Sequence, residues 1–289
     1  MAKKVHGGMK AKRITGDVIT YIFLILVCIA WLLPFFWLVM QSFRDGKGQF
    51  ISTFLPTAYT LNNYKALFTE FDVMNFPRMF MNTFIIACFT CLISTFFVLS
   101  VSYCTSRLKW KMRKPYMNMA MILNLFPGFM TMVAVYFILK ALGMTEGNKI
   151  PIALIICFSA GAGTQFYVMK GFMDTIPKAL DEAAAIDGCS SFQTLYKVIV
   201  PMLMPALVSC ALFQFMWSCN DFMGPLLYVS TPGKYPMSLF VKLSMDGDTG
   251  FAWNKILALS LISILPQLIV FFCAQDQFVE GISAGAVKG

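Results

Sequence analysis

Few residue types in this chain are placed to do chemistry. The single histidine, His6, sits in a Lys-rich N-terminal stretch, so no imidazole is offered to a folded core for proton transfer. Cys88 and Cys91 have the C-x-x-C spacing of a metal or redox pair. They lie within an apolar run that brings no further ligand, and apart from Cys189 the other cysteines occupy similar runs, so they read as small packing residues. Gly46-Lys47 and Gly233-Lys234 lack both the upstream glycine and the following Ser or Thr that cradle phosphate and Mg²⁺. H-E-x-x-H, G-x-S-x-G and paired intramembrane carboxylates are absent too. No catalytic residue, metal site or cofactor site is expected in this chain. Asp221 is the one charged residue well inside an apolar run, Lys140, Lys170 and Asp276 lying within a turn of the ends of theirs, and this scarcity argues against a proton-coupled carrier. A carboxylate there cannot face lipid cheaply, so with Asn220 it is expected to face water, a partner or a solute path.

One segment carries position-specific signals, Thr175-Ile-Pro-Lys-Ala-Leu-Asp-Glu-Ala-Ala-Ala-Ile-Asp-Gly188. Asp174 or Thr175 can cap a helix, Pro177 suits its first turn, and Gly188 suits a left-handed stop. Ile176, Leu180, Ala183 or Ala184, and Asp187 then share a face. A helix this short is unstable alone in water and must lean on something. It is either a surface helix on its own protein or a docking helix for another.

The rest of the chain decides what positions these residues. Of 289 residues 58% are hydrophobic and only 13% charged, with a mean hydropathy of +0.70. That is too little charge to cover a water-facing surface, which excludes a soluble enzyme, a disordered chain and a disulfide scaffold. Six apolar stretches are long enough for ~30 Å of hydrocarbon. They run at about 18–43, 80–106, 117–142, 150–173, 202–229 and 256–278. Pro34, Pro127, Pro205, Pro225 and Pro266 fall inside them and should bend their helices, which favours a bundle with a cavity over a plain anchor. The first stretch is too long for a signal-peptide core. No internal repeat or long linker appears.

The formal charge is +9, and cations crowd beside apolar runs, as expected for orientation signals and lipid-headgroup contact. Lys3, Lys4, Lys10, Lys12 and Arg13 precede the first span; Arg107, Lys109, Lys111, Arg113 and Lys114 fill the second loop. Both segments should be cytoplasmic, and so should both termini. The expected organisation is a basic tail over 1–17, a six-span domain over 18–279 with an inner loop at about 174–200, and a small-residue tail over 280–289.

Glu182-Ala183-Ala184, three residues, Gly188, nine residues, then Val198, Val200 and Pro201 resemble the E-A-A-x3-G-x9-I-x-L-P loop of binding-protein-dependent ABC importer permeases. Asp187 and Phe192 match its sugar-importer form. Thr60-Leu-Asn-Asn-Tyr64, Asn82-Thr83 with Ser102-Tyr103 and Arg107, and Leu142-Gly-Met-Thr145 resemble further elements of the maltose-type second permease subunit. Trp217, Asn220 and Asp221 before Pro225 resemble its W-N-[ED]-F…P element, with Ser218-Cys219 intervening. The ending Gly281-Ile-Ser-Ala284-Gly285-Ala-Val-Lys288-Gly289 is similar to its G-[LI]-x-A-G-A-V-K-G.

The resemblance implies an all-α, six-helix type I importer permease of the MetI-like fold in a prokaryotic plasma membrane, carrying sugars or short oligosaccharides. It implies a companion permease, two ATPase subunits that bind ATP and Mg, and an extracytoplasmic solute-binding protein. Glu182, Ala183, Ala184, Asp187, Gly188 and Pro201 would couple to the ATPase; Gly281, Ala284, Gly285 and Lys288 would touch it. Trp217, Asn220 and Asp221 would line the solute path or gate. The rivals are the same machine for polyamine, phosphate or another small solute, a secondary carrier, or a membrane scaffold.

Overall fold

The computed structural model describes residues 5–46, 53–71, 75–161, 165–247 and 252–286, with side-chain surroundings between 14 and 281. Among these the chain is helical, and its only β pairing is one isolated bridge between Arg44 and Tyr59. Four helices are single and long enough to cross a membrane: Ile14–Ser42, Phe76–Ser106, Ser191–Asn220 and Trp253–Gly281. Two bent pairs, Arg113–Asn124 with Gly128–Ala141 and Gly147–Ala160 with Gln165–Thr175, bring the crossings to six when each pair makes one.

The chain divides into two compact units. The first joins Met1–Thr69 to Phe251–Leu261. Its helix α1 (Val5–Ser42) already includes residues 5–17, expected as a separate tail. The most apolar window of α1 buries nothing within the chain, as suits a helix surrounded by lipid. Where α1 ends, α2 (Asn62–Thr69) is stapled to it. Asn63 Nδ2 donates to the carbonyls of Ser42 and Arg44 at 2.8 and 2.9 Å, and the Ser42 and Tyr64 hydroxyls lie 2.6 Å apart. Asn254 adds bonds to the Arg44 and Gly46 carbonyls. The Thr60–Tyr64 run thus satisfies the orphan carbonyls of a helix end.

The second unit joins Glu70–Gly250 to Ile262–Gly289 and is organised around α3 (Phe76–Ser106). The buried face of α3 carries Ala87, Thr90, Ser94, Val98, Ser102 and Thr105, spaced three or four apart. Small residues let neighbouring backbones approach closely, and their hydroxyls bond back to the preceding turn, as Ser102 and Thr105 do to Val98 and Val101. Against α3 pack α6 (Ile150–Gly161), α7 (Gln165–Thr175) and α10 (Val200–Asn220).

Two of the expected spans differ in form. The 117–142 stretch is not one kinked helix. It breaks by 97° between α4 (Arg113–Asn124) and α5 (Gly128–Ala141), with Pro127 at the break, where it offers no N–H to continue the helix. The 202–229 stretch is also shifted: the helix begins at Ser191 and stops at Asn220. Asp221 is extended (φ −67°, ψ 121°), and Pro225 belongs to a separate short helix, α11 (Met223–Tyr228). Pro34, Pro205 and Pro266 do lie within continuous helices.

Candidate functional site

The segment singled out by sequence folds against the C-terminal end of α3. Arg107 caps α3, and its side chain is only 6% exposed. Nη2 donates to Met173 O at 3.1 Å and Ile176 O at 2.9 Å. Nε lies 3.3 Å from Asp181 Oδ2, an ion pair without hydrogen-bond alignment. One guanidinium therefore joins the end of α7, the following turn and the first turn of α8 (Ala179–Ile186). Two more bonds from α3 flank it: Ser106 donates to Asp174, which also pairs with Lys170, and Tyr103 donates to Ser191 O at 3.2 Å.

Neither Asp174 nor Thr175 caps α8. Helix α7 runs through both, so Thr175 bonds back to Phe172 O and Asp174 is held by Ser106 and Lys170. The residue at the N-cap is Lys178, whose side chain makes no capping bond. The stop at Gly188 is as expected. Gly188 has φ +80°, its N–H donates to Ala185 O at 3.1 Å, and Cys189 N–H donates to Ala184 O at 2.9 Å. These two bonds make a Schellman motif. Ser190 and Gln193 then form a reciprocal capping box that opens α9 (Ser191–Thr194), a signal legible as S-x-x-Q. A π-turn over Leu195–Ile199 carries α9 into α10 and ends just before Pro201, whose ring would crowd the carbonyl of Lys197 in a tight turn.

Burial sorts the faces. Ile176 and Ala184 point inward, whereas Leu180, Ala183 and Asp187 are exposed, so the expected common face is split. Outward stand Glu182, Asp187, Ile186 (86% exposed), Phe192 (74%) and Tyr196 (68%). Sequence reading counted Arg107 among the orientation charges and left its pairing with Asp181 unseen, because no local pattern links residues 74 positions apart.

Trp217, Asn220 and Asp221 do not converge. Trp217 points outward, 65% exposed. Asn220 pairs amide to amide with Gln267 of α13 (Trp253–Ala286) at 2.8 Å. The Asp221 carboxylate accepts the N–H groups of Met223 and Gly224 at 3.1 and 3.3 Å, capping α11. A Cβ at Gly224 would fall 2.7 Å from Asp221 Oδ2, so a larger residue there would make the capping carboxylate shift. Asp221→Ala should therefore cost about 1 kcal/mol of local stability, the usual worth of such a cap. Asp221→Asn should retain most of it; the two variants' melting temperatures check this, and equal values would show the cap to be idle. Gln214, which sequence reading missed, is buried in mid-α10; it donates to Phe158 O at 3.1 Å and accepts from Gln165 at 3.3 Å. A buried amide in a membrane helix has to find such partners.

Helix α13 continues to Ala286, so the 280–289 tail begins as helix, with Ala284 and Gly285 in it and Lys288 outside the described residues. Gly281 sits against α10: a Cβ there would lie 2.5 Å from Pro205 O and 2.6 Å from Ser209 Oγ. This places Gly281 in an internal crossing. Gly281→Val should push α13 from α10 at a cost of about 1–3 kcal/mol; an unchanged melting temperature would show that the crossing gives way freely.

Residues 97–280 match the family described as binding-protein-dependent transport system inner membrane component. The chain belongs to this family. The match takes in the last third of α3, the Arg107 seat, the whole loop and α10. The permease is 28% identical to a galactooligosaccharides transport system permease protein of Bacillus subtilis, over 97% of this chain and 99% of that one. It is 32% identical to a probable starch degradation products transport system permease protein of Thermoanaerobacterium thermosulfurigenes, over 91% and 94%. Its fold matches a chain of a bacterial ABC transporter involved in the import of the acidic polysaccharide alginate, with a TM-score of 0.75 at 20% identity, covering 93% of the permease and 98% of that chain. The permease is thus a multi-pass membrane component of a transporter, with the all-α fold of ABC importer permeases.

Proposed function

We propose that the permease forms half of the solute pathway of an ATP-driven importer for sugars or short oligosaccharides, coupled to a separate ATPase through the loop at about 174–200. The observation that carries this reading is how α8 and α9 are built. They form a short rigid projection, backed by Arg107 and Tyr103 of α3, that turns Glu182, Ile186, Phe192 and Tyr196 outward. Apolar side chains rimmed by charge suit a protein contact, and the rigid backing passes displacement of that contact to α3 and α10.

The assembly has a companion permease, two ATPase subunits binding ATP and Mg, and an extracytoplasmic solute-binding protein. ATP closure of the ATPase pair moves the projection of each permease, opens the pathway outward to receive solute, and hydrolysis resets it. The work is done in the ATPase, and this chain transmits it. Asp187 and Gly188 set the turn of the projection, Ala183 and Ala184 keep it thin, and Pro201 marks its root. The sugar reading is supported by the relatives for galactooligosaccharides and starch degradation products.

Co-reconstitution with the partner subunits tests it. ATP-dependent uptake of a labelled malto- or galactooligosaccharide is expected; intact assembly with ATP-dependent uptake of polyamine or phosphate alone would remove the sugar reading. The basic segments support a cytoplasmic side for both termini. Reporter fusions at Gly289 and near Thr145 should report opposite sides, and the same side at both would overturn that orientation.

A further inference from the structure

The cations between α3 and α4 do more than orient the chain. Lys109, Lys111, Arg113, Lys114 and Lys170 surround a cavity of about 720 Å³, with Trp110 in its wall. The acid close by is Asp174, which is paired with Lys170 and lies within the electrostatic reach of Arg113. Among the described residues no ion pair reaches Lys109, Lys111, Arg113 or Lys114. Helix α4 begins at Arg113 with no acid in its first turn and no side-chain cap, so its positive pole adds to charge of the same sign. An anion in the cavity would relieve this accumulation.

A second cavity of about 490 Å³ lies among α3, α4, α6 and α7. Tyr116 lines it together with Phe97, Val101, Ile156 and Phe166, while Pro115 and Met117, the chain neighbours of Tyr116, line the basic cavity. The wall is braced: Trp110 packs on Tyr116 with ring centroids 5.8 Å apart and donates to Cys104 O at 3.1 Å, and Tyr167 OH bonds to Met117 O. A cationic cavity at the end of a span, beside an apolar cavity along the same span, matches the two ends of one amphipathic molecule.

We propose that these two cavities bind one anionic phospholipid, with its phosphate among the lysines and Arg113 and an acyl chain beside Tyr116. A soluble phosphate would use the first cavity only and leave the apolar one without an occupant. The apolar cavity lies between side chains that already face outward, Phe97 and Ile156, which are 56% and 55% exposed. Lipid therefore reaches it from the membrane. The site is independent of which solute the importer carries.

Native mass spectrometry of the assembled transporter, delipidated and then supplied with phosphatidylglycerol or with phosphatidylcholine of the same acyl chains, tests this. The wild type should retain one phosphatidylglycerol per copy of this permease and not phosphatidylcholine. The exposed triple variant Lys109→Gln/Lys111→Gln/Lys114→Gln should weaken retention roughly 100-fold, given the worth of each cation at a lipid surface. Ile156→Trp, which fills the apolar cavity, should weaken it with the charges intact, and millimolar inorganic phosphate should not displace the lipid. Equal retention in both variants, or equal retention of phosphatidylcholine, overturns the proposal. Displacement by inorganic phosphate overturns it in favour of a soluble anion. Efficient crosslinking of Lys114→Cys to another protein chain, with no lipid retained, overturns it in favour of a protein contact.

Discussion

Arg107→Leu should abolish coupled uptake while leaving the permease in the membrane. The substitution strands the Asp181 carboxylate, three-quarters buried in the loop, and takes the donor from Met173 O and Ile176 O. Removing one partner of a buried pair costs about 3–5 kcal/mol. That exceeds what α8, eight residues long, can hold by itself. Hydrogen exchange of α8 amides should accelerate by orders of magnitude, while the buried centre of α3 changes little. Arg107→Lys should rescue poorly, because an ammonium is a compact point charge and cannot fork to two carbonyls and a carboxylate. Arg107→Leu with Asp181→Leu should recover slow exchange in α8 more fully than Arg107→Leu alone, since an apolar pair leaves no stranded charge. Normal uptake by Arg107→Leu would show that the guanidinium does not hold α8 in the form that uptake needs.

Gly188→Pro should have a comparable effect by a different route. At φ +80° the residue lies where a proline ring, fixed near −65°, cannot follow, and the change also deletes the N–H bonded to Ala185 O. The turn that reverses α8 into α9 would be lost, and with it the placement of Ile186 and Phe192. Gly188→Ala keeps the N–H and should cost only about 1–2 kcal/mol, the penalty of a Cβ in the left-handed region. A graded series is expected in ATPase stimulation by the solute-loaded binding protein: wild type, then alanine, then none for proline. Glu182→Lys separates shape from contact. Glu182 is exposed, so the fold of α8 should survive while its outward face reverses charge. Full stimulation in both Gly188→Pro and Glu182→Lys would make the projection a plain solvated loop.

Signals that act within one or two turns were legible without coordinates. The Gly188 stop emerged because only a residue without Cβ accepts a left-handed φ at low cost. Among the described residues the apolar runs coincide with the four long helices and the two bent pairs, since hydrocarbon demands length and apolarity whatever the tertiary arrangement. The bend near Pro127 followed from a missing N–H, but its 97° magnitude did not, because proline weakens a helix without prescribing an angle. The fifth span was misplaced at both ends for a related reason. Ser191–Lys197 is polar enough to read as loop, yet it is helix once Ser190 and Gln193 cap it, and α10 ends where Asp221 turns its carboxylate to cap α11.

By itself the sequence determined that this is an all-helical membrane protein with a helix stop at Gly188, and it supplied the pattern by which its loop at about 174–200 resembles a family. These are properties of hydropathy and backbone preference, encoded residue by residue. Tertiary structure alone decided which side chains meet. Arg107 selects Asp181 across 74 positions, Asn220 selects Gln267, and Gly281 selects Pro205. Such choices depend on how helices cross in space, and a periodic pattern states which face of a helix is buried but not against what.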